Sequence, residues 1–394
     1  MRLLFVKEAL AWPRSSGHDV HCFHMMRALG ALGHEVSLAT VKPIPEQAIA
    51  GLPLQDCHCI GEATDDADVP PLPLSRLQER FRSYWGIDPA RIRAVASAAR
   101  AGEADAVVVV GLNVLPYLGA VSGALRVWYA ADEWAWHHLS QVRVLRPSTW
   151  GNIKEAAVKG LYERAYASML DRVWVVTDED GRAMRRVAGV GGVDVLPNGV
   201  DTDHFAPRSC SQTPNSCVFW GRLDFGPNLQ GLEWFCRRVW PRVRRAFPGA
   251  RFTIYGFQPT PEAQNLGNLD GVKVVPNLPD LRDEIATHQV VVLPFVSGGG
   301  IKNKLLEAAA MGKAVVCTGR AYGGLRGQAE APFRRAERLS QWVRELTSLW
   351  ADADQRGRLG DAARLWVTER HTWDAAARTA AAGLEAMLGA RQPA

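Results

Sequence analysis

The sequence has only seven cysteines in 394 residues, scattered and odd in number. That is too few for a disulfide framework and implies reduced thiols in a cytoplasmic protein. No apolar run approaches the roughly 18–20 residues that a membrane span needs. The opening MRLLFVKEAL meets Lys7 and Glu8 after four apolar residues, too soon for a secretory signal. An excess of one charge sign is missing as well, since 46 Lys+Arg stand against 41 Asp+Glu, a net charge of +5. This balance suits an anionic substrate or an acidic surface, and it falls short of the clustered basic footprint of a nucleic-acid binder. No G-x-G-x-x-G or Walker pattern occurs, which argues against dinucleotide and ATP sites of those kinds. Metal ligands are poorly spaced too. Cys57-His58-Cys59 crowds its donors and has no second pair to complete a tetrahedral set. Of the D-x-D triplets, Asp178–Asp180 is the best placed, and it reads as the acidic first turn of a helix rather than a cation clamp. No metal is expected.

What is present is a globular chain, 47% hydrophobic, and longer than the roughly 250–300 residues at which single cores stop growing. Short β-rich runs alternate with helical patterns: Arg2–Val6, Glu35–Ala39, Asp105–Val110, Arg126–Ala130, Arg172–Thr177 and Val193–Leu196 read as strands. Between the first two, Cys22, Met25, Met26, Leu29 and Leu32 recur at helical spacing within Asp19–Leu32. A polar, proline-containing stretch, residues 206–216, then breaks the alternation and reads as a linker. A second series follows, with strands at Cys217–Trp220, Arg251–Tyr255, Val272–Val275, Gln289–Leu293 and Ala314–Cys317. Helices Asn228–Ala246, Lys302–Met311 and Ser340–Trp350 lie among them. The expected fold is α/β, with two Rossmann-like doubly wound domains, residues 1–205 and 217–373, facing a central cleft. The closing helix over 374–394 is expected to fold back on the first domain.

The most informative segment runs from Gln289 to Thr318. A buried strand ends at Pro294, Gly298, Gly299 and Gly300 form a permissive turn, and a helix opens near Ile301. Lys302 and Lys304 fall in the first helical turn, where the macrodipole disfavours each cation by about 0.3–1 kcal/mol. A bound diphosphate reverses that penalty; the alternative is that both lysines extend into solvent. One turn on, Glu307 can accept two hydrogen bonds from a ribose diol or simply partner Lys304 or Asn303. In the first domain, Gly17 lies in the turn after the first strand and can bring its amide to a diphosphate or an acceptor, or be a plain turn glycine. His18 and Asp19 suit a helix cap. Asp132, Glu133, His137 and His138 crowd the end of another strand. Asp132 can act on an acceptor hydroxyl or cap the following helix. Finally, the arginines of Arg76–Arg100 alternate with Phe81, Tyr84 and Trp85, either to meet an anionic bilayer or as a solvated helix over buried aromatics.

Several segments, in order, resemble the retaining glycosyltransferases of the GT-B fold, family 4. SSGHDVHCFHMMRALGALGHEV is similar to the family's first glycine loop, helix and strand entry. VLPNGVDTDHFAP, CVFWGRLDFGPN and RHTWDAAA resemble its passage to the linker, the opening of its second domain and its closing helix. GGGIKNKLLEAAAMGK followed by VVCT is similar to its signature, in which two glutamates precede a glycine and a strand. The resemblance implies that Glu307 binds the nucleotide ribose and Arg222 the phosphates. Gly299 stands where the family's first glutamate would fall. The family's lysine after the arginine is replaced near Asn228, so Lys302 becomes the candidate second cation. Asp132 occupies a place commonly held by histidine, and Asn277 and Leu278 would wall the base. The implied reaction moves a sugar from a UDP- or GDP-linked donor to a hydroxyl, with retention expected. The acceptor would be a carbohydrate, a lipid-linked molecule or a small molecule, in polysaccharide, glycolipid or glycosylated-metabolite biosynthesis. Neither a cofactor nor nucleic acid is expected, and peripheral contact with an anionic membrane stays open beside the solvated-helix reading. Two other readings stay open: a sugar-nucleotide epimerase of similar shape, and a non-catalytic nucleotide-sugar binder.

Overall fold

Runs of β-branched residues such as Ala106–Val110 and His288–Leu293 cannot settle as half-exposed strands, because neither face is polar. Parallel pairing with helices on both faces is the arrangement that covers them. The computed structural model describes residues 1–12, 17–63, 71–131, 134–139, 142, 150–298, 301–325 and 331–391, without the side chains of Trp136 and His137. Asp132, Glu133, Gly299 and Gly300 thus lie outside the described residues.

The chain divides into two units, Met1–Pro197 with Trp373–Ala394, and Asn198–Thr372. The first holds seven strands: β1 (Arg2–Lys7), β2 (Glu35–Thr40), β3 (Leu54–Cys59), β4 (Ala106–Val110), β5 (Leu125–Ala131), β6 (Arg172–Val175) and β7 (Val193–Val195). They pair in the order β3-β2-β1-β4-β5-β6-β7, every neighbour parallel. The last helix, Trp373–Arg391, belongs to this unit. Its Trp373, Ala377, Ala380 and Leu384 join Leu3, Phe5, Met25 and Leu29 in one buried cluster.

The second unit holds β8 (Thr213–Arg222), β9 (Arg251–Phe257), β10 (Val272–Pro276), β11 (His288–Leu293), β12 (Ala314–Cys317) and β13 (Arg334–Arg335). Their order is β10-β9-β8-β11-β12-β13, again all parallel. β8 opens at Thr213, inside the stretch read as linker, because Ser216 is buried and pairs with Arg251. The long helix expected over Asn228–Ala246 is broken by a π turn at Phe235–Val239. Pro241 follows and has no N–H to close the regular ladder there.

Both sheets reverse direction once, between β1 and β4 in the first unit and between β8 and β11 in the second. In a doubly wound sheet the two connections leave that point on opposite faces, opening a crevice outside the carboxyl ends of the strands. Each unit therefore offers one such place.

Candidate donor and acceptor sites

At the β8–β11 reversal, β8 ends in Trp220-Gly221-Arg222. Gly221 has φ +142°, and a Cβ there would lie 2.6 Å from Lys304 Nζ and 3.2 Å from Asn228 Nδ2. Only a glycine lets the Lys304 side chain lie back across this strand end. Asn228 is buried and donates to the Arg222 carbonyl at 2.7 Å, fixing the peptide that carries the arginine. The Arg222 guanidinium is forked onto Asp224, with Nε 3.0 Å and Nη2 2.5 Å from its carboxylate oxygens. That contact raises the arginine's pKa and lowers the aspartate's. The geometry of a fork on a carboxylate is the one a guanidinium uses on phosphate.

The other wall comes from the exit of β11. Gly298 takes φ +87°, and a Cβ there would meet Pro227 at 3.4 Å and Lys302 Nζ at 3.5 Å. Ser297 Oγ donates to Gln230 Oε1 at 2.9 Å, and Thr318 Oγ1 to the Phe295 carbonyl at 2.6 Å, which tie the turn down on both sides. Lys302 is the N-cap of the helix Asn303–Ala310, with no side-chain cap of its own, and Ile301 is buried beside it. Lys302 Nζ lies 5.5 Å from the Phe295 ring centroid, and Lys304 Nζ 5.8 Å from that of Phe219. Neither lysine simply extends into water. Asn303 Oδ1 accepts from Asn198 Nδ2 at 2.6 Å, so the P-N-G segment braces the same helix start.

Glu307 faces this group from the next turn. Its Oε2 accepts from Trp220 Nε1 at 2.8 Å, while Oε1 has no hydrogen bond among the described residues. Burial raises the Glu307 pKa and lowers that of Lys304, each opposed by the partner's charge. Asn277 follows β10 in the left-handed region at φ +56°, its N–H on the Gly256 carbonyl at 2.8 Å, and Leu278 packs on the core. Asn277 stands at the same edge of the sheet, three strand spacings from Gly298.

At the β1–β4 reversal of the first unit lies a cavity of about 370 Å³, lined among others by Lys7, Glu8, His18, Gly111, Asn113 and Trp134. Lys7 Nζ donates to Asp19 Oδ1 at 2.6 Å and to the Ala9 carbonyl at 2.7 Å; the buried pair joins the end of β1 to the first turn of the helix Gly17–Ala31. Gly17 opens that helix and is exposed. The His18 ring stacks on Trp134, centroids 5.7 Å apart and planes 15° apart. His138 turns elsewhere, its Nδ1 3.1 Å from Asn152 Oδ1. Ala131, the last residue of β5, has φ +59°, an uncommon strain for a residue with a side chain and one that clusters at functional sites. It directly precedes Asp132. The Asp178–Asp180 triplet is a helix start: Thr177 caps it by accepting from Asp180 N at 3.1 Å.

Two family descriptions match this chain: "Glycosyltransferase Family 4" over residues 15–204 and "Glycosyl transferases group 1" over residues 214–352. The chain belongs to the family 4, group 1 glycosyltransferases. It is a sugar-transferring enzyme with the GT-B fold. No curated protein matches it in sequence. Among solved structures it is similar to sucrose-phosphate synthase from Thermosynechococcus elongatus, at 15% identity and TM-score 0.70, covering 99% of this chain and 100% of that one. Anabaena HepE in complex with UDP-glucose matches at 13% identity and TM-score 0.65, over 98% and 100% of the two chains. An S. aureus TarM mutant in complex with Fondaparinux, alpha-GlcNAc-glycerol and UDP matches at 9% and 0.69, over 98% and 100%.

Sequence reasoning on this glycosyltransferase passed over Lys7, Glu8 and Asn113 as lining residues, and took Lys304 as secondary to Lys302. The usable signal was position: charged residues ending a buried parallel strand, as Lys7 and Glu8 do, face the crevice at the sheet's reversal.

Proposed function

We propose that the donor is a nucleotide-diphosphate sugar, UDP- or GDP-linked, held on the second unit. Its sugar passes with retention, and without a metal ion, to the hydroxyl of a carbohydrate, lipid-linked or small-molecule acceptor held on the first. The observation that carries this is Lys304 lying across Gly221 beside the Arg222 peptide, with the Glu307 carboxylate one turn on. Lys304, the Arg222 strand end and the Glu307 carboxylate thus gather where a doubly wound sheet reverses. As the glycosidic bond breaks, the leaving diphosphate gains negative charge. Arg222, Lys304, Lys302 and the first amides of the helix Asn303–Ala310 act on that charge, one such donor being typically worth about 2.7–4 kcal/mol. Glu307 Oε1 takes a ribose hydroxyl, and the base lies toward Asn277 and Leu278. Gly298, followed in the sequence by Gly299 and Gly300, is assigned to the phosphates by the family resemblance.

In the first unit the flat faces of Trp134 and His18 suit a sugar ring in the 370 Å³ cavity. The Gly17 amide contributes at the helix start, and Asp132, with Glu133, His137 and His138 nearby in sequence, orients the attacking hydroxyl. The complexes of HepE with UDP-glucose and of TarM with UDP favour a uridine donor. A cytoplasmic setting agrees with seven free cysteines. No helix among the described residues is long and apolar enough to cross a membrane. Peripheral docking is supported by the paired helices Arg76–Tyr84 and Gly151–Ala167. They expose Leu77, Tyr84, Ile153 and Leu161 beside Arg76, Arg80 and Lys154, while Phe81 and Trp85 pack inward.

Incubation with a panel of labelled UDP- and GDP-sugars plus candidate acceptors, with EDTA present, tests the reading. We expect sugar transfer with the donor's anomeric configuration kept. Inversion would overturn retention, and an isomerised donor formed without acceptor would restore the epimerase reading.

A further inference from the structure

The second unit contains another cavity, of about 310 Å³, beside the edge strand β13, lined by Tyr322, Ala331, Phe333, Arg334, Arg335 and Glu345. None of these residues belongs to the group around Arg222 and Glu307. Phe333 and Ala331 are buried and give the cavity an apolar floor. Above it the charges do not balance. Arg344 places its Nε and Nη2 on Glu345 Oε1, at 3.1 and 2.8 Å. The nearest approach of Arg334 is its Nε, 3.9 Å from Glu345 Oε2. Arg334 and Arg344 thus share the Glu345 carboxylate, and Arg335 has no ion pair among the described residues.

Two arginines on an edge strand serve to block pairing with another sheet. That accounts for exposed side chains, and Arg335 fits it. It does not account for Arg334 Nε, which is shielded from solvent and has no hydrogen-bond acceptor among the described residues. A buried donor of a charged group is seldom left unmet. Arg335 is also placed: its Cζ lies 5.2 Å from the Tyr322 ring centroid, so the ring holds one face of the guanidinium and leaves its N–H edge to an acceptor. Arg334 also keeps 42% of its side chain exposed, and both arginines line the cavity, so their outer N–H groups present the donors with which guanidinium forks grip an oxyanion. The volume sits at the small end of ligand pockets, roughly 300–1,000 Å³, and suits a small molecule rather than a polymer.

We propose that this cavity is a second anion site, separate from the donor site, taking the phosphate group of a small phosphorylated molecule through Arg334 and Arg335. The proposal does not depend on the donor assignment.

The test is calorimetric titration of the full chain, first saturated with UDP, with inorganic phosphate and separately with glycerol 3-phosphate. Binding of one equivalent is expected, weakened at least about tenfold by Arg335→Gln and unchanged by Arg222→Ala. Tighter binding of the ester than of inorganic phosphate identifies a phosphorylated metabolite; equal binding identifies the free anion. UDP affinity, measured on the same samples, should not respond to Arg335→Gln. If UDP itself fails to bind, the donor assignment fails, and the phosphate titration is run on Arg222→Ala instead. Absence of phosphate uptake by the UDP-saturated chain, or uptake indifferent to Arg335→Gln, overturns the proposal. Arg335 is exposed, so that variant keeps the test decisive even where Arg334→Gln does not fold.

Discussion

Arg222 spends the ligand-free state on Asp224, its half-exposed side chain forked on a neighbour two residues away. A pair this open to solvent contributes about 0.2–1 kcal/mol, little enough for a diphosphate to displace. The same numbers separate the arginine's structural role from its chemical one. Arg222→Ala should leave the melting temperature almost unchanged and lower kcat by about 10²–10³, the usual loss for one donor to a developing oxyanion. Steady-state kinetics beside thermal melts check both halves. A collapse in melting temperature would make Arg222 a structural residue, and undiminished kcat would remove it from the reaction.

The helix Asn303–Ala310 begins with cations where the macrodipole prefers anions, and that conflict makes a prediction for the element rather than for one atom. Lys304→Met should change the stability of the ligand-free protein little, since the roughly 0.3–1 kcal/mol cost of a first-turn lysine is offset by its attraction to the buried Glu307 carboxylate. It should also shrink the melting shift that UDP produces. Lys302→Met should shrink that shift less, because Lys302 lies by Gly298 and Lys304 by the Arg222 strand end. Equal effects, or none, would show that the two lysines do not divide the work this way. Which lysine turned inward was not legible in the sequence: it follows from the missing side chain at Gly221, 83 residues earlier, and spacing carries no such information. Glu307 and Arg222 were singled out from the order of the family's motifs, and the structure joins them to the same strand end, Glu307 through Trp220. Among the elements, buried parallel strands were legible as apolar runs. β3 was missed because it is a mostly exposed edge strand, LQDCHC, and β13 because two arginines make no periodic signal. The helix Ala353–Arg370 was missed for a related reason, burying only Gly360, Ala363, Trp366 and Val367 in eighteen residues.

At the scale of the whole molecule, each unit buries neutral imidazoles that acid must charge. Burial pushes His21 in the first unit down to about 3, and His288 and His371 in the second down to about 4. A folded pKa below the unfolded value of about 6.5 stabilises the protein above that pH. The contribution fades as pH falls toward 4, on the order of 3 kcal/mol for each of His288 and His371. Melting temperature should therefore be flat near neutrality and drop steeply below pH 6.5, and His288→Gln should flatten the second unit's share of that drop. A melting temperature constant from pH 7 to 4 would contradict it. The two units should also separate in response to truncation. The closing helix packs Trp373, Ala377, Ala380 and Leu384 on the helix Gly17–Ala31 and on β1, far in sequence from both. Ending the chain at Thr372 strips one face of the first sheet's helical layer and exposes Met25 and Leu29. Burial of one such side chain is worth about 1.5–3 kcal/mol, so a domain with the usual margin of about 5–15 kcal/mol should lose most of its stability. The second unit ends at Thr372 and keeps the isolated bridge from Val200 to Thr372. It should still melt cooperatively and still be stabilised by UDP, by about 2.7 kcal/mol at a hundredfold excess over Kd. Calorimetry of the truncated chain with and without UDP reads both outcomes. Loss of the UDP-responsive transition would mean that the nucleotide site is not contained within residues 198–372, and retention of a full first-unit transition would mean that the closing helix is an accessory rather than part of that core.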